Sequence, residues 1–289
     1  MAVSSPYLSE ETGSGGLPFV RVQNAAGMAK ICLLGATVTE FQPAGAQPLL
    51  WLSPNSRFEA GVPIRGGIPV CWPWFGAHTT PGMPMHGFVR TQLWQLDKVE
   101  DLGPACTAVE LALADSPATL AVWPYKFEAR LRVTVGSALE LALTGTNRDQ
   151  QAMPISGALH TYFKVGDIAG IRIDGLDGAP FLSKVHNFQE FSLPGPIQIG
   201  ERVDRVYTNT TAACTLHDPS LGRKLRIEKG GSRTTVVWNP WEQVASEMAD
   251  LGAGTFREFV CVESVVGTQE QLVLAPSQSH TLSQKFWII

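Results

Sequence analysis

Glu263 stands in the stretch REFVCVESVVG, residues 257–267, whose other members are mostly apolar or β-branched. A carboxylate in such a strand loses much of its hydration, which is costly unless something pairs with it or uses it. His160 poses the same question in ISGALHTYFKVGDI, residues 155–168, with Ala158 and Tyr162 predicted on its face of a strand. Alone, a histidine there is usually a satisfied core residue, and a buried glutamate is often half of an ion pair. Together the two read differently. Burial raises a glutamate's pKa toward neutrality while histidine already titrates near it, so the pair has the makings of a general acid and a general base.

Cations and aromatics gather upstream. GVPIRGGIPVCWPWFG, residues 61–76, sets Arg65 before Gly66 and Gly67, then Trp72, Trp74 and Phe75. Paired glycines permit unusual backbone angles and close approach to a ligand. The aromatic rings suit stacking on a sugar or, equally, a packed core. In MHGFVRTQLW, His86 and Arg90 lie four residues apart, a spacing that puts both on one face of a strand. Two arginines flanking a Pro- and Gly-containing loop suit a dianionic phosphate, because guanidinium groups are permanently charged bidentate donors. Each is equally readable as a salt-bridge partner.

The elements that must position these groups are strands. FVRVQ, MAKICLL, TVTEFQP, AVELALA, FEARLRVTV, LELALTGT and RIDGL alternate or cluster β-formers, separated by turns such as PAGAQP, NRDQ, DGAP and PGP. Only SPNSRFEAG and WEQVASEMADLG suggest short helical turns. The pattern predicts an all-β chain of packed antiparallel sheets, one domain over residues 1–289, with residues 1–16 as a flexible N-terminal segment.

Composition narrows the function. At 289 residues, 44% hydrophobic and 17% charged, the chain can bury a large core, and its net charge of -4 argues against a nucleic-acid partner. Five cysteines are scattered without a CxxC pair, which suggests reduced thiols and no cysteine metal site. The first residues, MAVSSPYLSEETGSGG, lack a basic and apolar leader, and no apolar run is long enough to span a bilayer. A cytoplasmic protein with no membrane partner is the expectation.

The ordered blocks PIRGGIPVCWPWFG, HGFVR, ALHTYFKVGDI, ERVDRVYTN, VVWNPW and FVCVESV resemble the hexose-6-phosphate mutarotases, or glucose-6-phosphate 1-epimerases, of the aldose 1-epimerase superfamily. The resemblance runs from about residue 17 to about residue 280 and is weak between 100 and 150. It implies a galactose-mutarotase-like β-supersandwich, no cofactor or metal, and a monomer acting on a phosphosugar. Carried over position by position, it makes His160 and Glu263 catalytic. It places Arg65, His86, Arg90 and Asp204 against the substrate. Met85 departs from relatives that carry a polar residue just before the histidine.

The implied reaction interconverts the anomers of a hexose 6-phosphate. Glu263 takes the O1 proton and a protonated His160 gives one to ring O5; the ring opens, the C1–C2 bond rotates, and the ring recloses. Two other readings stay open: a neutral-aldose 1-epimerase, in which the arginines are structural, and a non-catalytic sugar-binding sandwich. A glycosidase is disfavoured, since its usual second carboxylate is missing from these blocks.

Overall fold

A computed structural model of the chain describes residues 4–267 and 272–289. Period-two alternation shapes its outer strands. Along Phe127–Val135, the residues Phe127, Ala129, Leu131, Val133 and Val135 are buried, while Glu128, Arg130, Arg132 and Thr134 lie only partly covered. Its antiparallel neighbour Ala138–Asn147 alternates in the same way. Both belong to a sheet of eight strands running in the order Arg172–Asp174, Cys214–Asp218, Arg223–Gly230, Ser279–Ile288, Ala138–Asn147, Phe127–Val135, Thr107–Ala114 and Gln95–Asp101.

A second eight-stranded sheet carries the candidate chemistry. Its order is Gln189–Ser192, Pro180–Ser183, Val203–Tyr207, Thr234–Asn239, Phe259–Val266, Gly157–Leu159 and Val70–Cys71, with Tyr162–Lys164 also paired to Phe259–Val266. The pairings are antiparallel, as the sequence predicts. Among the described residues a four-stranded and a two-stranded sheet complete the architecture. The all-β expectation therefore holds.

The two large sheets meet through Phe259–Val266 and Ser279–Ile288. Gln284 is fully buried there; its amide donates to the Val262 carbonyl at 2.9 Å and its oxygen accepts from the Thr161 hydroxyl. Buried polar groups are tolerable when bonded in this way, and the pair pins one sheet to the other. Every residue of Phe259–Val266 is buried. Val260, Val262 and Val266 enter the main core, while Phe259, Cys261 and Val265 belong to smaller clusters on the opposite face. Glu263 shares that opposite face by strand periodicity.

Three local expectations need adjusting. Leu8–Thr12, inside the segment expected to be flexible, is a strand paired with Pro18–Asn24. Trp241–Glu247 is a short helix as expected, while SPNSRFEAG holds only isolated turns, one closed by the Ser56 N–H donating to the Ser53 carbonyl at 3.1 Å. Pro117–Val122 is a helix the strand reading passed over; Ser116 and Thr119 form a capping box with Pro117 at its first turn. No helix among the described residues is long and apolar enough to cross a membrane.

Candidate active site

Strand register assembles the site. Across one face, Asp204 lies opposite Trp238, Trp238 opposite Cys261, and Cys261 opposite Tyr162. The next row runs Val206, Val236, Glu263. A third runs Thr234, Val265, Ala158, Cys71. His160 sits in the break between Gly157–Leu159 and Tyr162–Lys164, both paired to the strand of Glu263. Its backbone N–H donates to the Pro69 carbonyl at 3.1 Å. This break places the imidazole Nε2 3.4 Å from Glu263 Oε1. The two residues singled out from separate blocks therefore meet.

Aromatic rings fix the imidazole. Tyr162 stacks on it at 4.9 Å and 14°, and Trp238 and His86 present edges at 5.9 Å. Tyr162, two residues from His160, follows from the strand period; Trp238 is visible only once the register is known.

Burial sets the protonation of the pair. Desolvation pushes the Glu263 carboxyl well above the usual carboxylate range, more strongly than the nearby Lys184 ammonium pulls it down. The same burial, with His86, Arg65 and Arg90 close by, holds His160 well below the ordinary histidine value. Both shifts favour the uncharged forms, a protonated Glu263 and a neutral His160. This differs from the expected imidazolium at His160: positive neighbours disfavour a further cation there. Glu263 Oε2 and His160 Nδ1 are buried and find no hydrogen-bond partner among the described residues. Unsatisfied buried groups of this kind cost about 1–3 kcal/mol each, and polar ligand atoms would satisfy them.

His86 is neutral too, its pKa lowered to about 3 by burial and by Arg90, Lys184 and Arg65. Its ring Nδ1 accepts from the Gly76 N–H at 3.1 Å, which leaves the proton on Nε2, and its ring lies 4.8 Å from Phe75. His86 and Arg90 are not on a strand. His86 has φ of 65° and Arg90 lies in the 3-10 turn Val89–Thr91. Gly87 forces this shape, for a Cβ there would lie 2.0 Å from the Trp72 carbonyl oxygen.

The arginines differ from one another. Arg65 donates to Asp250 Oδ2 and to the Tyr162 hydroxyl, at 2.9 and 3.0 Å, so the salt-bridge reading is realised at the edge of the pocket. Arg90 donates to the Met85 carbonyl at 2.6 Å and pairs with no carboxylate among the described residues. Its buried Nε finds no partner among the described residues. The Met85 side chain is exposed. Gly66 and Gly67 serve the chain's own backbone and not a ligand: a Cβ at Gly67 would lie 2.2 Å from the Val38 carbonyl oxygen. Trp72 and Trp74 are core, whereas Phe75 reaches the site.

Asp204, expected against substrate, is held by Lys184 at 3.3 Å, and burial raises its pKa. Lys184 is the residue the sequence hides. It also lies 5.4 Å over the Phe75 ring, yet a lysine beside Ser183 and His186 in FLSKVHNF reads as an ordinary surface charge. Among the described residues no three His, Cys, Asp or Glu side chains form a metal-ligand set.

The arrangement can hold a polyhydroxylated ligand and move a proton at two of its oxygens. A family model described as "Aldose 1-epimerase" matches residues 18–287. The Salmonella typhimurium protein named "Putative glucose-6-phosphate 1-epimerase" is 36% identical over 256 residues, 88% of this chain and 85% of its own. A crystal structure of a mutarotase described as putative from the same organism superposes with a TM-score of 0.92 at 32% identity, covering 100% of this chain and 95% of that one. The fold also matches a galactose mutarotase-like protein of Clostridium acetobutylicum, with a TM-score of 0.77 at 16% identity over 98% of each chain.

Proposed function

The chain belongs to the aldose 1-epimerase family, and we propose that it interconverts the α and β anomers of a hexose 6-phosphate, glucose 6-phosphate first among them. The observation that carries this reading is the His160–Glu263 pair at 3.4 Å, beside an Arg90 charge that no described carboxylate offsets. Arg65 is balanced by Asp250 and Lys184 by Asp204, so Arg90 supplies the positive charge left over for a phosphate.

Mutarotation needs the O1 proton removed and ring O5 protonated. The pair holds one mobile proton and offers an acceptor and a donor at once. Substrate hydroxyls donating to Glu263 stabilise its carboxylate. A phosphate dianion near Arg65 and Arg90 offsets their field and restores the proton affinity of His160. Binding thus moves the proton from Glu263 to His160, leaving a carboxylate to accept from O1 and an imidazolium to donate to O5. Cleavage of C1–O5 gives the open aldehyde; rotation about C1–C2 and reclosure return both protons. General acid–base catalysis of about 10²–10⁴-fold is what such a pair supplies. His86, kept neutral, donates from Nε2, and Asp204 accepts from a hydroxyl.

The Arg65–Asp250 ion pair favours a second reading, a neutral-aldose epimerase with a structural Arg65. Magnetisation-exchange NMR on glucose 6-phosphate beside glucose separates the two. Acceleration of the phosphate ester over its buffer rate, well beyond that of glucose, is expected. Equal acceleration of both sugars would favour the neutral-aldose reading, and acceleration of neither would leave a binding protein.

A further inference from the structure

A cavity of about 250 Å³ lies on the same sheet face, bounded by Phe75, Leu182, Lys184, Val206, Thr208 and Val265 among others. The proposed reaction at His160 and Glu263 leaves it unused. Register places it beyond the catalytic pair. Val265 follows Glu263 by two residues on one face, about 7 Å along the strand. Leu182 and Val206 sit opposite one another on the flank that leads toward Gln189–Ser192. Both arginines lie on the other flank. Arg65 bonds Tyr162, and the turn carrying Arg90 runs beside Trp72, next to the edge strand Val70–Cys71.

A pyranose bound by the proposed chemistry has one orientation on this face. Its C1 and O5 meet the pair, and its C6 phosphate lies toward the arginines. In a six-membered ring C2 stands across from C5, the carbon that bears C6, so C2 points at the cavity. The walls there are apolar at Leu182, Val206, Val265 and Phe75, with the Lys184 ammonium at the boundary.

The rim holds a strained residue. Phe188, an aromatic with φ of 62°, lines the cavity while 59% exposed. A bulky residue in the left-handed region costs on the order of 1–3 kcal/mol, and such strain is retained where a ligand uses it.

We propose that this cavity is an acyl subsite, and that the enzyme accepts 2-acetamido-2-deoxyhexose 6-phosphates as well as plain hexose 6-phosphates. The inference rests on the reaction and orientation proposed above. The acetamido carbonyl accepts from Lys184 Nζ, and its methyl packs among Leu182, Val206 and Val265. A free 2-amino sugar phosphate is disfavoured, since its ammonium would face that of Lys184.

Exchange NMR on wild-type protein with glucose 6-phosphate, N-acetylglucosamine 6-phosphate and glucosamine 6-phosphate tests this. The N-acetyl compound should show a KM no higher than that of glucose 6-phosphate and at least tenfold below that of glucosamine 6-phosphate. Thr208→Phe, which fills the cavity, should raise the KM of the N-acetyl compound at least tenfold and leave that of glucose 6-phosphate unchanged. Acceleration of glucose 6-phosphate without N-acetylglucosamine 6-phosphate overturns the subsite and leaves the reaction standing. Acceleration of neither overturns the reaction and the subsite with it. An equal effect of Thr208→Phe on both also overturns the subsite. The wild-type comparison decides even if Thr208→Phe fails to fold.

Discussion

Arg130 and Glu263 both sit on strands inside eight-stranded sheets, and the molecule treats their charges in opposite ways. Arg130, on the Phe127–Val135 strand, has a side chain 38% exposed and is paired with Asp97, Glu110 and Glu128. Those bonds raise its pKa, so its charge is never in question. Glu263 has a side chain 1% exposed, and the nearest opposite partner is a histidine at 3.4 Å that burial keeps neutral. The outer sheet answers charge with charge in reach of water. The central strand leaves a carboxyl uncompensated, so its proton is available to whatever enters.

Glu263→Gln breaks this contrast most severely. It keeps the shape and removes the titration, so anomer exchange should fall by about 10²–10⁴-fold while phosphosugar binding persists. Exchange NMR with titration calorimetry checks both; unchanged exchange would remove Glu263 from the chemistry. The pH dependence of stability has a definite sign. A carboxyl raised in the folded state contributes stability that is complete below its unfolded value of 4.5 and is lost as pH rises through the folded value. As pH climbs above about 4.5 the Glu263 contribution should therefore fall. Buried neutral His160 and His86 work in the opposite direction up to about 6.5, so it is the stability of the wild type relative to the Gln variant that should decline. Parallel curves would mean that the buried carboxyl is already ionised in the folded chain.

Much of this site was legible before the fold. Glu263 and His160 stand out as titratable residues among apolar neighbours, and although each alone fits a core or ion-pair role, the two together point to acid–base chemistry. What joined them was the two-residue break after Leu159, a tertiary feature with no local signature. The same limit explains Lys184 and Asp250, which reach the pocket through register and through a loop some 185 residues away from Arg65. His86 and Arg90 misled for a different reason. Even spacing fits a strand, but His-Gly at φ of 65° and 70° fits a turn, and the clash with Trp72 that demands it is invisible in sequence.

The two arginines of the site divide in the same way, since Arg65 is compensated as Arg130 is and Arg90 is not. Arg90→Ala should raise the KM for glucose 6-phosphate about 10–100-fold, the range for losing a hydrogen bond to a charged group, with little effect on glucose. Arg65→Ala should weaken both sugars to similar extents, because it also releases Asp250 and the hydroxyl of Tyr162, whose ring stacks on His160. If Arg65→Ala proves the phosphate-selective change, the assignment of the uncompensated charge to Arg90 is wrong.

The smallest effect belongs to the outer sheet. Arg130→Ala removes a guanidinium from three carboxylates, and pair counting would make that severe. Solvent makes the loss small. Its side chain is over a third exposed, Asp97 is more open still, and Arg148 continues to hold Glu128. Exposed ion pairs contribute about 0–1 kcal/mol and are screened within about 10 Å at 0.1 M salt. Denaturant unfolding should therefore show a loss below about 1 kcal/mol that shrinks in high salt, with anomer exchange unchanged. A loss above about 3 kcal/mol, insensitive to salt, would show that the outer charges are as desolvated as Glu263. The contrast would then lie only in whether a partner is present, and exposure would have no part in it.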